Sequence, residues 1–426
     1  MFRLENCINK ARGFSKHAFK QKHASTAALS LKTSLLALTL AAPASAKEPP
    51  VPTLVDHIVL GWGESGASEF GTEIGENEVL SSLAVDPNTG NVWAMDFEGH
   101  ITIVSRNTIT NKAEADIDIN PDLAAVFAEK PLALPEAAVT VNTIYQKAPS
   151  PEAIAIDPKS GNVYVVCAPT RNYNVPNGPV PNEILVFNTL TNNLIATISA
   201  PGTSVYASIP WDVAIDSDTG TVYVANAADA AVSNVMVIDE KTNTITGYIA
   251  VPAVDKLAID LKSKKPFTAN YGNENVSVID INKHSATYNT VISTIPLGSA
   301  NKPNSIAVDP KSGKVFTGNY TSASISVIDE KTNAVTATIP TPGYIPNGFV
   351  VDSTHGIVYA QYYSTTAPTL LPASAVIDEA TNSITGAYLT FANARGFAID
   401  TQRGFLYSGD GMPNSVAGVT VYRTGY

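Results

Sequence analysis

Seven positions carry the side chains from which chemistry could be built. Ser81, Glu152, Trp211, Asp255, Asn304, Asn347 and Arg395 each stand five residues ahead of an aspartate that recurs in one local pattern. Glu152, Asp255, Asn304 and Asn347 supply hard oxygen donors of the kind that hold Ca²⁺ or another divalent cation. Arg395 would set a cation beside such a metal, or pair instead with Glu152 or Asp255. Trp211 is the one large aromatic of the group. Without a metal, the same residues read as ordinary hydrogen-bonded caps of strand ends, or as a polar ring that receives a ligand. No catalytic residue is assigned.

Other constellations are thinner. Beyond residue 46 the histidines are His57, His100, His284 and His355, too scattered for a Ser-His-Asp triad or a zinc site. Cys167 follows the run Asn162-Val-Tyr-Val-Val166 and reads as a small buried hydrophobe. The segment 61–78 has five glutamates among its glycines. No lysine follows a glycine there, so it is no phosphate cradle. Trp62, Tyr173, Tyr362 and Tyr363 could form an aromatic rim for a peptide or glycan.

The elements that must position these residues come from a repeat. Ala153-Ile-Ala-Ile-Asp-Pro-Lys-Ser-Gly-Asn-Val-Tyr164 returns with variations around Asp86, Asp157, Asp216, Asp260, Asp309, Asp352 and Asp400. The copy at 256–267 is degenerate, with Ser-Lys-Lys-Pro where four others have Ser/Thr-Gly and the last two have His-Gly and Arg-Gly. Each unit reads as four short strands, A to D. Asp-x-x-x-Gly turns join A to B, and Asp-Glu-Lys-Thr-Asn turns join C to D. Lone units of this kind cannot bury both faces. The fold class is therefore all-β: a seven-bladed β-propeller of four-stranded antiparallel blades. The last unit lacks a D strand, and residues 54–60 resemble one. The N-terminal strand is expected to complete the last blade and leave no open edge in the ring.

Strand order sets the faces. A–B and C–D turns lie on one side of the disc, D–A and B–C connections on the other. The long segments 61–78, 120–150, 168–183, 200–210, 362–374 and 409–418 are all expected on the D–A/B–C side. The seven positions named first would open into the channel mouth on that side. Loops on a rigid scaffold are the usual carriers of binding groups.

Residues 1–46 are different in kind. A basic stretch, the apolar run Leu35–Ala42 and Ala44-Ser-Ala46 predict a secretory signal cleaved after Ala46. The mature chain would then be periplasmic, secreted or at the cell surface. Residues 47–53 read as a linker and 54–426 as one propeller domain. Without the seven basic residues and single acid of the first 46, the formal charge moves from −11 to −17. Such a surface repels phosphate backbones and argues against nucleic acid. No segment of the mature chain reads as transmembrane.

Val222-Tyr-Val-Ala-Asn226, Val276-Ser-Val-Ile-Asp280 and Asp-Glu-Lys-Thr-Asn resemble the YVTN-type β-propeller repeats. That group includes YncE-like bacterial periplasmic proteins and archaeal surface-layer proteins. The resemblance spans nearly all of 54–426 and implies fold rather than activity. Related lactonase-like propellers are enzymes with Glu, Asn and Asp ligands near the channel mouth. The leading expectation is a non-catalytic propeller that binds a protein, peptide or glycan on its insertion-rich face. The competing expectation is a metal-dependent, lactonase-like hydrolase. The weakest is nucleic-acid binding.

Overall fold

The computed structural model describes residues 49–59, 80–96, 99–106, 139–145, 150–168, 182–200, 209–227, 233–299, 301–364, 374–388, 396–409 and 418–426. The signal expected at 1–46 lies outside them, as do the loop at 61–78, Arg395, Trp62 and Tyr173.

β-Branched and aromatic residues favour strands because they suit a pleated, packed surface. The third blade illustrates the outcome. Its strands are Pro210–Asp216 (A), Thr221–Asn226 (B), Asn234–Asp239 (C) and Thr244–Ala250 (D). Strand B is buried along its whole length. A strand packed on both faces carries a continuous apolar run, here Val222-Tyr-Val-Ala225. Strand D alternates instead, with every second residue exposed up to its buried Ile249.

Among the described residues, twenty-eight strands form seven four-stranded sheets, and there is no helix. Six sheets run A-B-C-D in chain order. In the seventh, Thr53–Val59 pairs with Gly418–Arg423, outside Phe405–Gly409 and Phe397–Asp400. Ile58 lies opposite Val419 and Leu54 opposite Tyr422. The closing strand is therefore as the repeat arithmetic requires. The A strands of neighbouring blades touch one another around the full circle, blade 7 against blade 1 included.

The core lies between blades rather than within them. Each of seven apolar clusters joins two neighbours. Trp93, Met95 and Ile103 of blade 1, for example, pack on Val163, Cys167 and Phe187 of blade 2. Strands B and C supply most of these residues, which explains their unbroken apolar runs.

All seven anchor aspartates are buried. Each accepts the amide two residues on: Asn88, Lys159, Asp218, Lys262, Lys311, Thr354 and Gln402, at 2.7–3.1 Å. Glycine at the fifth turn position takes positive φ, as at Gly90, Gly161 and Gly313. In the degenerate copy Lys264 stands there at φ 56. Its Nζ reaches back to Asp216 and Asp218 of blade 3, both at 2.8 Å.

The same turns brace the ring. Asn88 Nδ2 donates to Pro158 O at 2.8 Å, Lys262 Nζ to Pro310 O at 3.4 Å and Lys311 Nζ to Thr354 O at 3.0 Å. Lys159 pairs with Asp218, and Arg403 reaches Asn88. Successive A–B turns are thus tied together on one face.

One expected connection lies elsewhere. Val139–Tyr145 is the D strand of blade 1, paired with Ile101–Arg106. The insertion 107–138 therefore joins C to D, whereas a D–A connection over 120–150 was expected. The alternating Val-Thr-Val-Asn-Thr-Ile run is a strand at the far side of the insert. The other five long segments do join D to A or B to C.

Candidate functional site: the mouth of the inner-strand ring

The A strands begin at the D–A/B–C end of the disc. In six of them the first turn of the strand carries a β-bulge. Leu80 pairs with Asp96, but Ser82 pairs with Met95, which leaves Ser81 as the extra residue. Glu152, Trp211, Asp255, Asn304 and Asn347 are the extra residues of their own A strands in the same way. Bulges re-aim a side chain and are frequent next to functional sites. Every described member of the sequence-predicted ring thus occupies one equivalent backbone position. Arg395 lies outside the described residues.

Five kinds of side chain occupy the six described positions, with Asn at two of them. Ser81 is buried and its Oγ donates to Met95 O at 3.3 Å, a local structural bond. Glu152 is half-buried, with Ser150 Oγ 3.4 Å from its Oε1. Trp211 and Asp255 are half-buried. Asn347 is half-buried too. The Oδ1 of Asn304 is enclosed and accepts no hydrogen bond. An enclosed amide oxygen without a donor is a costly arrangement that a ligand donor or water would relieve.

Two residues at this site carry no signal in the repeat. Asp212 follows Trp211, and its Oδ2 accepts the amide of Leu257 in the next blade at 2.9 Å. Burial raises its pKa against the pull of Lys256 and the Leu257 and Val213 amides. Lys256 follows Asp255, and its Nζ donates to Trp211 O at 3.1 Å. An acid and a base therefore join blades 3 and 4 directly beneath the Trp211 and Asp255 bulges. The only hint in sequence is their place four residues before the anchors.

Aromatic residues flank the same end. Tyr271 and Tyr320 directly follow the B strands of blades 4 and 5. Their rings are 5.9 Å apart, and Lys302 Nζ lies 5.6 Å from the Tyr271 centroid. Tyr320 and Tyr363 are exposed, at 41% and 38%. Tyr362 is not a rim residue: it is buried and packs 5.7 Å from Tyr344. Alternation along Ile357–Ser364 turns one of the adjacent tyrosines inward and the other outward.

Among the described residues, no three His, Cys, Asp or Glu side chains converge in a way that could hold a metal. Glu152 and Asp255 stand on blades 2 and 4 with the Trp211 bulge between them. Any cation there would depend on the amides of Asn304 and Asn347 as well.

The fold and this mouth define a seven-bladed β-propeller with a non-repeating ring at one end. No protein-family model matches the chain, and no curated sequence does. Among solved structures the chain is similar to a chain of hydrazine synthase from Kuenenia stuttgartiensis, with 18% identity and a TM-score of 0.41. That similarity covers 47% of this chain and 55% of the other.

Proposed function

We propose that this chain is an exported, non-catalytic propeller of the YVTN type that binds a partner at the D–A/B–C end. Glu152, Trp211, Asp255, Asn304, Asn347 and Arg395 would make the contacts. One observation carries the reading. A single backbone device, the inner-strand bulge, recurs in six blades and presents five kinds of side chain, with only Asn304 and Asn347 alike. Residues that serve only the fold repeat around this ring, as the anchor aspartates do. Divergence at an equivalent position is what an asymmetric ligand requires.

Carboxylates, amides and exposed tyrosines suit a peptide or a glycan, which combine hydrogen-bonding groups with flat apolar faces. Trp211 offers the readout. Intrinsic fluorescence titrations of soluble oligosaccharides and peptides would be run on the wild type and on Asp255→Asn with Asn347→Ala. Saturable binding by the wild type, weakened at least tenfold in the variant with its thermal midpoint retained, is the expected result. Binding that survives the double substitution would remove the mouth from consideration. Metal analysis of the purified chain tests the hydrolase alternative. A stoichiometric divalent ion lost in Glu152→Gln, with lactone or ester turnover, would replace the binding reading.

A further inference from the structure

The opposite face holds a feature that neither the fold nor the mouth requires. Three C–D turns carry a glutamate directly after their first aspartate: Glu240, Glu330 and Glu379. All three are buried. Each reaches across a seam to the A–B turn of the preceding blade. Glu240 Oε1 accepts from Ser160 Oγ at 2.6 Å and Asn162 Nδ2 at 3.1 Å. Glu379 Oε2 accepts from Ser312 Oγ at 2.6 Å. Glu330 pairs with Lys265, at the start of the next strand of the preceding blade, at 3.3 Å.

In each case the glutamate faces the turn built on the preceding blade's anchor aspartate; Ser312, for example, gives its amide to Asp309 and its hydroxyl to Glu379. The pairs are Asp157 with Glu240, Asp260 with Glu330 and Asp309 with Glu379. The aspartates are already committed as acceptors. Asp157 takes the Lys159 amide, and Asp309 takes the Lys311 and Ser312 amides and the Ser353 hydroxyl. Glu379 Oε1 is enclosed and receives no donor. Two facing carboxylates with no hydrogen between them repel. One added proton turns the contact into a short O–H···O⁻ bond.

We propose that each of these three carboxyl pairs shares one proton, so that the seams between blades 2 and 3, 4 and 5, and 5 and 6 are tighter in mild acid than in mild base. The proton sits on the glutamate, and Asp157 and Asp309 stay ionised under their amide donors. Burial, followed by the facing aspartate working against the Ser160 and Asn162 donors, pushes Glu240 up to about 7. Burial and Asp309 likewise push Glu379 up to about 7. Glu330 is raised by burial and Asp260, with Lys265 pulling against it. Asp157 and Asp309 are both lowered: burial opposes their charge, but their hydrogen-bond donors outweigh it.

The remaining charged and titratable neighbours are few. Tyr164 of blade 2 lies in the field of Glu240, and its hydroxyl donates to Asn243 Oδ1 at 3.0 Å. Lys314 Nζ contacts the Glu379 carbonyl and Asn382 Oδ1. Other seams use fixed cations or histidine. Lys264 holds Asp216, Arg403 holds Asp400, and His355 holds Asp352 at 2.8 Å while stacking on Tyr426.

The direction follows from linkage. A glutamate whose folded value is near 7, against an ordinary 4.5, binds a proton more tightly in the folded chain. Its contribution is complete below about 4.5 and is lost as pH rises through about 7. Glutamine imitates the protonated acid: its amide donates to the aspartate and its oxygen accepts from serine.

The test is the thermal midpoint from pH 5.5 to 8.5 for the wild type, Glu379→Gln, and the triple Glu240→Gln/Glu330→Gln/Glu379→Gln variant. The wild type should lose midpoint as pH rises. The triple variant should lose less and exceed the wild type at pH 8.5 by roughly 2–6 °C. Taking the difference between proteins cancels every titration outside the three pairs. A triple variant with the wild-type slope, or one less stable than the wild type at pH 8.5, overturns the proposal. Should the triple variant not fold, side-chain carboxyl NMR decides on the wild type and Glu379→Gln. A resonance titrating near pH 7 that vanishes in Glu379→Gln supports it; titration of that resonance near 4.5 sinks it.

Discussion

Arg403 Nη2, in the first turn of the last blade, donates to the backbone carbonyl of Asn88 in the first blade at 3.3 Å. Its Nη1 holds the buried Asp400 at 2.8 Å. The guanidinium thereby fastens the ends of a chain of turn-to-turn contacts on the face where Thr53–Val59 also closes the last sheet. Arg403→Ala is expected to cost about 1 kcal/mol, since the pair is partly exposed. Deleting residues 49–59 is expected to do much more, because it bares the Gly418–Arg423 edge. Size-exclusion chromatography and thermal unfolding check both. A monomeric deletion variant with wild-type midpoint would contradict this closure.

A second prediction concerns the seam between blades 5 and 6. Ser305 Oγ donates to Pro346 O at 3.3 Å directly over Gly318. A Cβ on Gly318 would stand 2.3 Å from that hydroxyl and 2.7 Å from the Pro346 carbonyl. Gly318→Ala should destabilise by about 1–3 kcal/mol through overpacking. Denaturant midpoints at constant slope measure it, and an unchanged midpoint would mean the seam relaxes freely.

Lys264 combines a left-handed backbone with an ion pair to the buried Asp216. Burial works against its charge, but Asp216 and Asp218 outweigh this and raise its pKa. Lys264→Met should lose about 1–3 kcal/mol, because Asp216 is left without its cation. Lys264→Gly loses the same pair but recovers about 1 kcal/mol of backbone strain. The glycine variant should therefore be the less damaged of the two in urea unfolding. Equal losses would show that the left-handed turn carries no strain.

Cys167 is fully buried against the Trp93 and Phe187 cluster. Burial, with smaller help from Glu183 and Glu152, pushes its thiol well up. In a chain without residues 1–46, which removes Cys7, the folded protein should not react with a thiol reagent at pH 8, and unfolding should release one reactive group. Rapid labelling of the folded protein would place Cys167 in an opening seam.

Much of this was legible before any coordinates. The apolar runs, the Asp-x-x-x-Gly turns and the unpaired strand at 54–60 together dictate a closed ring, because a lone blade has two apolar faces and no other way to bury them. The A-strand position five residues before each anchor was legible too, since a constant offset in a repeat is a constant place in a fold. Where the repeat is broken the reading slipped. The insert in blade 1 hid the strand Val139–Tyr145, so the connection was assigned to the wrong face. Tyr362 and Tyr363 are adjacent in sequence, and only pairing in the sheet decides which one turns inward.

What the amino-acid sequence determined alone is periodic: blade number, turn chemistry and ring closure, each encoded locally and repeated. What the tertiary structure decided lies between repeats. The bulges that single out Glu152, Trp211, Asp255, Asn304 and Asn347, the bonds of Asp212 to the Leu257 amide and of Lys256 to the Trp211 carbonyl, and the Glu–Asp seams all join residues of different strands or blades. The Asp157–Glu240 pair depends on two turns 83 positions apart meeting at one seam. Only packing of one blade on the next sets that distance, and with it the electrostatics of both faces.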